Sequence, residues 1–148
     1  VYGHNFSYEF INKIKRHARR KSLPLISIGY RNDWADEQWI DADPHDFALF
    51  FNNANSVATN FFHGCIFSLN YNKPFVCETS PYRNNKIYGL MKLVNGEAHL
   101  MSNNTLHEYE TMLTSDVNEF IFKRIEVLRQ SSNAYLDRAL GMEQLQVA

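Results

Sequence analysis

Three short apolar runs constrain this chain most: LISIG at 25–29, SVATN at 56–60 and PFVCE at 74–78, each separated from the next by a stretch with helical marks. None of the three alternates cleanly between apolar and polar residues, which is the pattern of strands buried on both faces. The connecting stretches are equally informative. SYEFINKIKRHARRK offers Ser7 as an N-cap, followed by an apolar stripe of Phe10, Ile11, Ile14 and Ala18. DPHDFALFFNNA begins with Asp43 as a cap, Pro44 at the first helical position and Asp46 at capping-box spacing. HGCIFSLNYN reads as a helix of about ten residues, and RNNKIYGLMKLVN as another, closed by Gly96. Strand and helix alternating at this spacing predict an α/β fold, a Rossmann-like parallel sheet flanked by helices. RNDWADEQWIDAD reads as a polar, acidic loop. After Asp116 a final long helix is expected over 116–140, with Ile121, Ile125, Leu128, Ser132, Leu136 and Leu140 on one face.

The 148 residues suit one domain, 1–148, and the eleven Phe supply a core. VYGHNFSYEF carries no basic-then-apolar leader and begins as if within a strand, so the expectation is a piece of a longer protein. No apolar run reaches the eighteen residues that a spanning helix needs. A net charge of −1 gives no global case for nucleic acid. Charge is nonetheless segregated. Residues 13–21 hold six Lys or Arg, and residues 33–46 hold six Asp or Glu. Solvated surfaces are the plainer account. An anionic partner for the basic helix, such as a lipid headgroup or acidic glycan, is the sharper one. Cys65 and Cys77 sit in apolar company, which predicts buried free thiols and a reducing, cytoplasmic setting. The six histidines show no zinc-like spacing and no CxxC exists, so no metal is expected from a local motif.

In a doubly wound sheet, ligands bind beyond the carboxyl ends of the strands, where loops enter helices. Thr59 and Asn60 end a strand, and His63 and Gly64 begin a helix, which places His63 at that mouth. First-turn amides lack intrahelical acceptors and the helix dipole favours anions. The expected site lies above the amides of residues 62–65, with Gly64 admitting a ligand close to the backbone. A histidine there can donate to a phosphate or carboxylate, and it can carry a proton near neutral pH. A histidine that merely closes the turn is the competing account.

DPHDFALFFNNANSVATNFFHGCIFSLNYNKPFVCETSPYRNNKIYGLMKLV resembles the C-terminal half of the polysaccharide pyruvyl transferases. The elements that carry the likeness are Pro44, Asp46 and Phe47, then Ala54, Val57 and Thr59, then Phe62, His63 and Gly64. Lys73, Pro74 and Phe75 follow, with Arg83 and Lys86 opening a basic helix. RIEVLRQSSNAYLDRAL also looks like the family's last helix. The resemblance implies the second domain of a two-domain architecture like that of GT-B glycosyltransferases, with the active site in the cleft and the N-terminal domain as a partner. It implies transfer of a pyruvyl group from phosphoenolpyruvate onto two hydroxyls of a sugar or polysaccharide precursor, giving a cyclic ketal. His63 carries over as the catalytic residue, and Asn60, Phe62, Gly64, Arg83 and Lys86 as substrate-binding residues. The scheme needs no metal or organic cofactor. Association with the inner membrane face and self-association through bare apolar faces are further expectations.

One departure stands out. A branch of the family has arginine two places before the histidine, where this chain has Phe61. That favours a non-catalytic binding module of the same fold as one alternative. A nucleotide-sugar glycosyltransferase domain is another, with Glu97 or Glu108 as the carboxylate for a ribose. Tyr30, Trp34 and Trp39 could stack on an acceptor sugar, although covering the sheet edge is the commoner role for such rings. Asp46 is expected to serve capping.

Overall fold

The structure, a computed structural model, describes residues 1–79, 84–101 and 108–141. Its elements are α1 (Tyr8–Lys21), β1 (Ile26–Ile28), β2 (Glu37–Trp39), α2 (Pro44–Asn53), β3 (Val57–Thr59), α3 (Phe62–Asn70), β4 (Phe75–Glu78) and α4 (Asn84–Val94). A 3-10 turn (Glu97–His99), β5 (Leu100–Met101), α5 (Tyr109–Thr114) and α6 (Glu119–Ala139) follow. The three strands expected from the apolar runs are β1, β3 and β4. β2 was not expected, because its three side chains are all exposed and only Trp39 among them is apolar. It is an edge strand paired to β1, with Ile26 opposite Glu37 and Ile28 opposite Trp39.

All pairings among the described strands are parallel. β4 lies between β3 and β5, with Val57 opposite Phe75 and Cys77 opposite Leu100. Val1 and Tyr2 bridge the two groups of strands: the Ile28 amide donates to Val1 O and the Tyr2 amide to Ala58 O, each at 3.0 Å. The order across the sheet is therefore β2, β1, Val1–Tyr2, β3, β4, β5. From Val1–Tyr2 the chain winds outward one way through β1 and β2, then crosses back to wind the other way through β3, β4 and β5. The reversal between Tyr2 and β3 is a topological switch point.

Alternation along the strands divides the core into two layers. Val57, Phe75, Cys77 and Leu100 face Phe51 of α2, Cys65 and Leu69 of α3, Met91 of α4 and Ile121 of α6. Ala58, Val76 and Met101 face Phe10 and Ile14 of α1 and Leu113 of α5. Burial on both faces explains why the apolar runs are unbroken.

The helix signals hold in detail, with instructive exceptions. The Ser7 side chain caps α1 and the Asp43 side chain accepts from the Asp46 amide at 2.8 Å, with Pro44 at the first position. At the end of α4 the left-handed residue is Asn95 (φ 59°), not Gly96. Gly96 sits close against the core, and a Cβ there would lie 2.6 Å from Met91 Cε, so that flexible side chain would have to shift. The final helix begins at Glu119, capped by Asn118, and only its first half meets the core. Ile121, Ile125 and Leu128 pack inward, whereas Leu136 and Leu140 are exposed. Arg124 holds the end of α4 through Leu93 O at 3.0 Å, and Arg129 reaches Asn70 Oδ1 at 2.9 Å.

Candidate functional site

The mouth of the switch point is built around Thr59. Its hydroxyl donates to Tyr2 O at 2.6 Å and accepts from the Phe61 amide at 3.1 Å, tying the two central strands together at their carboxyl ends. Asn60 repeats the tie one residue later. Its Nδ2 donates to His4 O at 2.7 Å and its Oδ1 accepts from the His4 amide at 3.4 Å. Gly3 makes this clamp feasible, because its φ is +147° and a Cβ there would collide with Asn60 Oδ1. Asn60 is thus a positioning residue for the mouth, its amide already committed to backbone.

Phe61 is the N-cap of α3 and brings no side-chain acceptor to the first turn. The Cys65 amide donates to Phe61 O at 3.2 Å, so it belongs to the helix ladder. The first-turn amides are those of residues 62–64, one fewer than expected. Phe62 packs half-buried against the core, and His63 stands exposed on the first turn with its ring edge-on to Phe62 at 5.8 Å. Gly64 has a different reason from the expected one. Its open face is filled by Thr59, into which any Cβ would collide. It seats α3 against β3 and leaves no gap for a ligand there. Lys86 is exposed on α4. Arg83 lies outside the described residues.

Two residues missed in sequence, His4 and Glu78, join this edge, together with Tyr30. His4 follows Val1–Tyr2, and Tyr30 follows β1. Both rings pack on Phe61, at 5.3 and 5.0 Å, while Tyr2 meets the same ring at 5.1 Å. Phe61 therefore fills its position with an aromatic cluster where a family arginine would present charge. Glu78 ends β4, and both its carboxylate oxygens accept from the Ser7 amide, at 3.1 and 3.2 Å, in front of α1. Burial raises its pKa while those bonds pull it down. His4 and Tyr30 lie just past the ends of their strands and Glu78 is the last residue of β4, and that position at a strand's carboxyl end was the available signal.

The other sequence candidates have packing roles. Trp34 packs edge-on against Phe6, and Trp39 covers Phe50 from the edge strand. Cys65 and Cys77 are buried and free. A hydrogen bond that the Cys77 thiol donates to the Cys65 sulfur, with burial, pushes Cys77 well above its ordinary range, which disfavours the reactive thiolate. Among the described residues no helix is long and apolar enough to cross a membrane.

The sequence model of the polysaccharide pyruvyl transferase family matches residues 1–80. The chain belongs to the polysaccharide pyruvyl transferase family. The match spans Val1–Tyr2, the clamp, α2 and the whole turn from Thr59 to Gly64. It stops short of Arg83, Lys86 and the last helix, so it covers less than the motifs suggested. As members of a polysaccharide pyruvyl transferase family, such chains are transferases acting toward a sugar or polysaccharide acceptor. No curated protein and no solved structure matches this chain.

Proposed function

We propose that this polysaccharide pyruvyl transferase chain moves a pyruvyl group from phosphoenolpyruvate onto two hydroxyls of a polysaccharide or its precursor. In this reading it is one domain of a GT-B-like transferase, and a domain on the N-terminal side supplies the other wall of the cleft. The observation that carries the reading is His63, exposed on the first turn of α3 at the carboxyl end of β3, within the stretch that the family model covers.

The chemistry suits that place. Phosphoenolpyruvate is small and highly anionic, and a helix N-terminus with a histidine donor favours such a group. In the first step a proton goes to the enol methylene carbon and a sugar oxygen bonds to the enol carbon bearing phosphate. In the second, the other hydroxyl displaces phosphate, closing the ketal and releasing inorganic phosphate. His63 holds the anion or moves a proton in these steps, and Glu78 is the carboxyl on the adjoining strand. Phe61 favours a second reading, a binding module that retains the fold, because its ring is packed among Tyr2, His4 and Tyr30.

Phosphate release from phosphoenolpyruvate with an acceptor glycan separates the two. The complete enzyme is expected to release phosphate and form the ketal, and the 148-residue chain alone is expected to be silent. Glycan binding without phosphate release by the complete protein would favour the binding module.

A further inference from the structure

The basic run of residues 13–21 is carried by α1, and only part of it is paired. Arg20 Nη1 donates to Glu110 Oε1 at 2.8 Å, and Lys13 Nζ lies 5.1 Å from the centre of the Tyr109 ring. The side chains of Lys15, Arg16, Arg19 and Lys21 have no hydrogen bond or ion pair among the described residues. The helix dipole favours cations such as Arg19, Arg20 and Lys21 in the last turn and the acid Glu9 in the first. It gives no reason for Lys15 and Arg16 in the middle.

The periodicity of the helix gathers these side chains. Phe10, Ile14, His17 and Ala18 are buried against the core. At 3.6 residues per turn, the opposite face carries Tyr8, Asn12, Lys15, Arg16 and Arg19 in one band. Asn12, Lys15, Arg16, Arg19 and Arg20 line a shallow groove along it. Tyr8 heads the band and is 79% exposed. The band also has a fixed place relative to the mouth. The amide of Ser7, next to Tyr8, is held by both carboxylate oxygens of Glu78 at the end of β4. β4 pairs in parallel with β3, so Tyr8 stands at the same edge of the sheet as the turn from Thr59 to His63. Arg19 lies roughly 16 Å farther along the helix, at about 1.5 Å per residue.

We propose that the outer face of α1 is a subsite for a stretch of acidic polysaccharide leading away from the mouth. One sugar stacks on Tyr8, and carboxylates farther along pair with Lys15, Arg16 and Arg19. The proposal rests on the reading above, in which each transferred pyruvyl group keeps its carboxylate in the ketal, so that a chain modified on repeated units is a polyanion. A sugar ring presents an apolar C–H face that suits an exposed tyrosine, whose own tip stays polar. A lipid surface asks for several apolar side chains beside the cations, and Tyr8 is the only large one in the band.

The test titrates the 148-residue chain with a polygalacturonate oligosaccharide, with its methyl ester, and with vesicles of phosphatidylcholine and phosphatidylserine in equal parts. Binding is followed by NMR at the Tyr8 ring and the α1 amides. The acid is expected to shift these signals saturably, with affinity falling as salt rises, and the ester to bind about tenfold more weakly or worse. Replacing two exposed cations together, Arg16→Gln with Arg19→Gln, should weaken the acid about three- to thirtyfold and flatten its salt dependence. Tyr8→Ala should weaken it and leave the salt dependence unchanged. Equal binding of acid and ester, or unchanged affinity in either variant, would overturn the proposal. So would vesicle binding tighter than that of the glycan, because a membrane would then be the occupant. No donor takes part in the titration, so its failure is read separately from a failure to release phosphate.

Discussion

His63 and Gly64 are neighbours in opposite settings, one exposed and one packed on Thr59, and substitution separates them. His63→Ala removes an exposed ring, so the melting temperature should hold while donor handling falls. A charge-assisted hydrogen bond of about 1.5–3 kcal/mol corresponds to roughly ten- to a hundredfold. Gly64→Ala drives a methyl into Thr59, and overpacking of this kind costs about 1–3 kcal/mol. Thermal unfolding of both variants, beside phosphate release by the complete enzyme, checks the pair. A loss of stability in His63→Ala with unchanged turnover would assign the histidine to turn closure instead. The position of His63 was legible from sequence because a strand ending and a helix beginning leave few options. The reason for Gly64 was not legible, because it depends on which strand side chain lies across from it. Phe61 likewise reads as a lost arginine in sequence, and only the packing of Tyr2, His4 and Tyr30 shows what it does.

Elements differ in how much of their sequence pattern the fold uses. α2 uses most of it: Asp43 caps, Pro44 starts, and Phe51 is buried, although Leu49 is exposed. Asp43→Ala should therefore cost about 1 kcal/mol, measured by urea unfolding. α6 uses half. Ile121→Ala should cost about 2–5 kcal/mol, as buried aliphatic truncations do, while Leu136→Gln should stay within about 0.5 kcal/mol because that side chain is exposed. A large loss from Leu136→Gln would mean that the second half of α6 is covered in solution. β2 marks the other limit of sequence reading. A polar edge strand is recognised by its backbone partners, and side-chain periodicity cannot announce it.

For the whole molecule, the two-layer core fixes the response to acid. His17 and His99 are buried, and burial lowers the pKa of each. His99 is also held to Phe75 O, at 2.8 Å from Nδ1, and since a carbonyl only accepts, the proton is on that nitrogen. Both rings are therefore neutral in the fold. As pH falls through about 6.5, the unfolded chain takes up protons first, so stability declines until the folded values are reached. Melting temperatures from pH 4 to 8 should show this fall, and His17→Phe should flatten part of it. An unchanged slope in that variant would remove His17 from the account. Glu78 acts with the opposite sign. Its raised pKa means the fold binds its proton more tightly, so its contribution diminishes as pH rises through the folded value.

Under the proposed function, the turn after β3 receives a small phosphorylated carboxylate. The direct measurement is a titration of the isotope-labelled 148-residue chain with phosphoenolpyruvate, read by NMR at the histidine rings and backbone amides. The His63 ring and the amides of residues 62–64 should shift together and saturate, and His63→Ala should abolish the amide response. Shifts confined to the cations of α1, or no shift at His63 at any concentration, would contradict it.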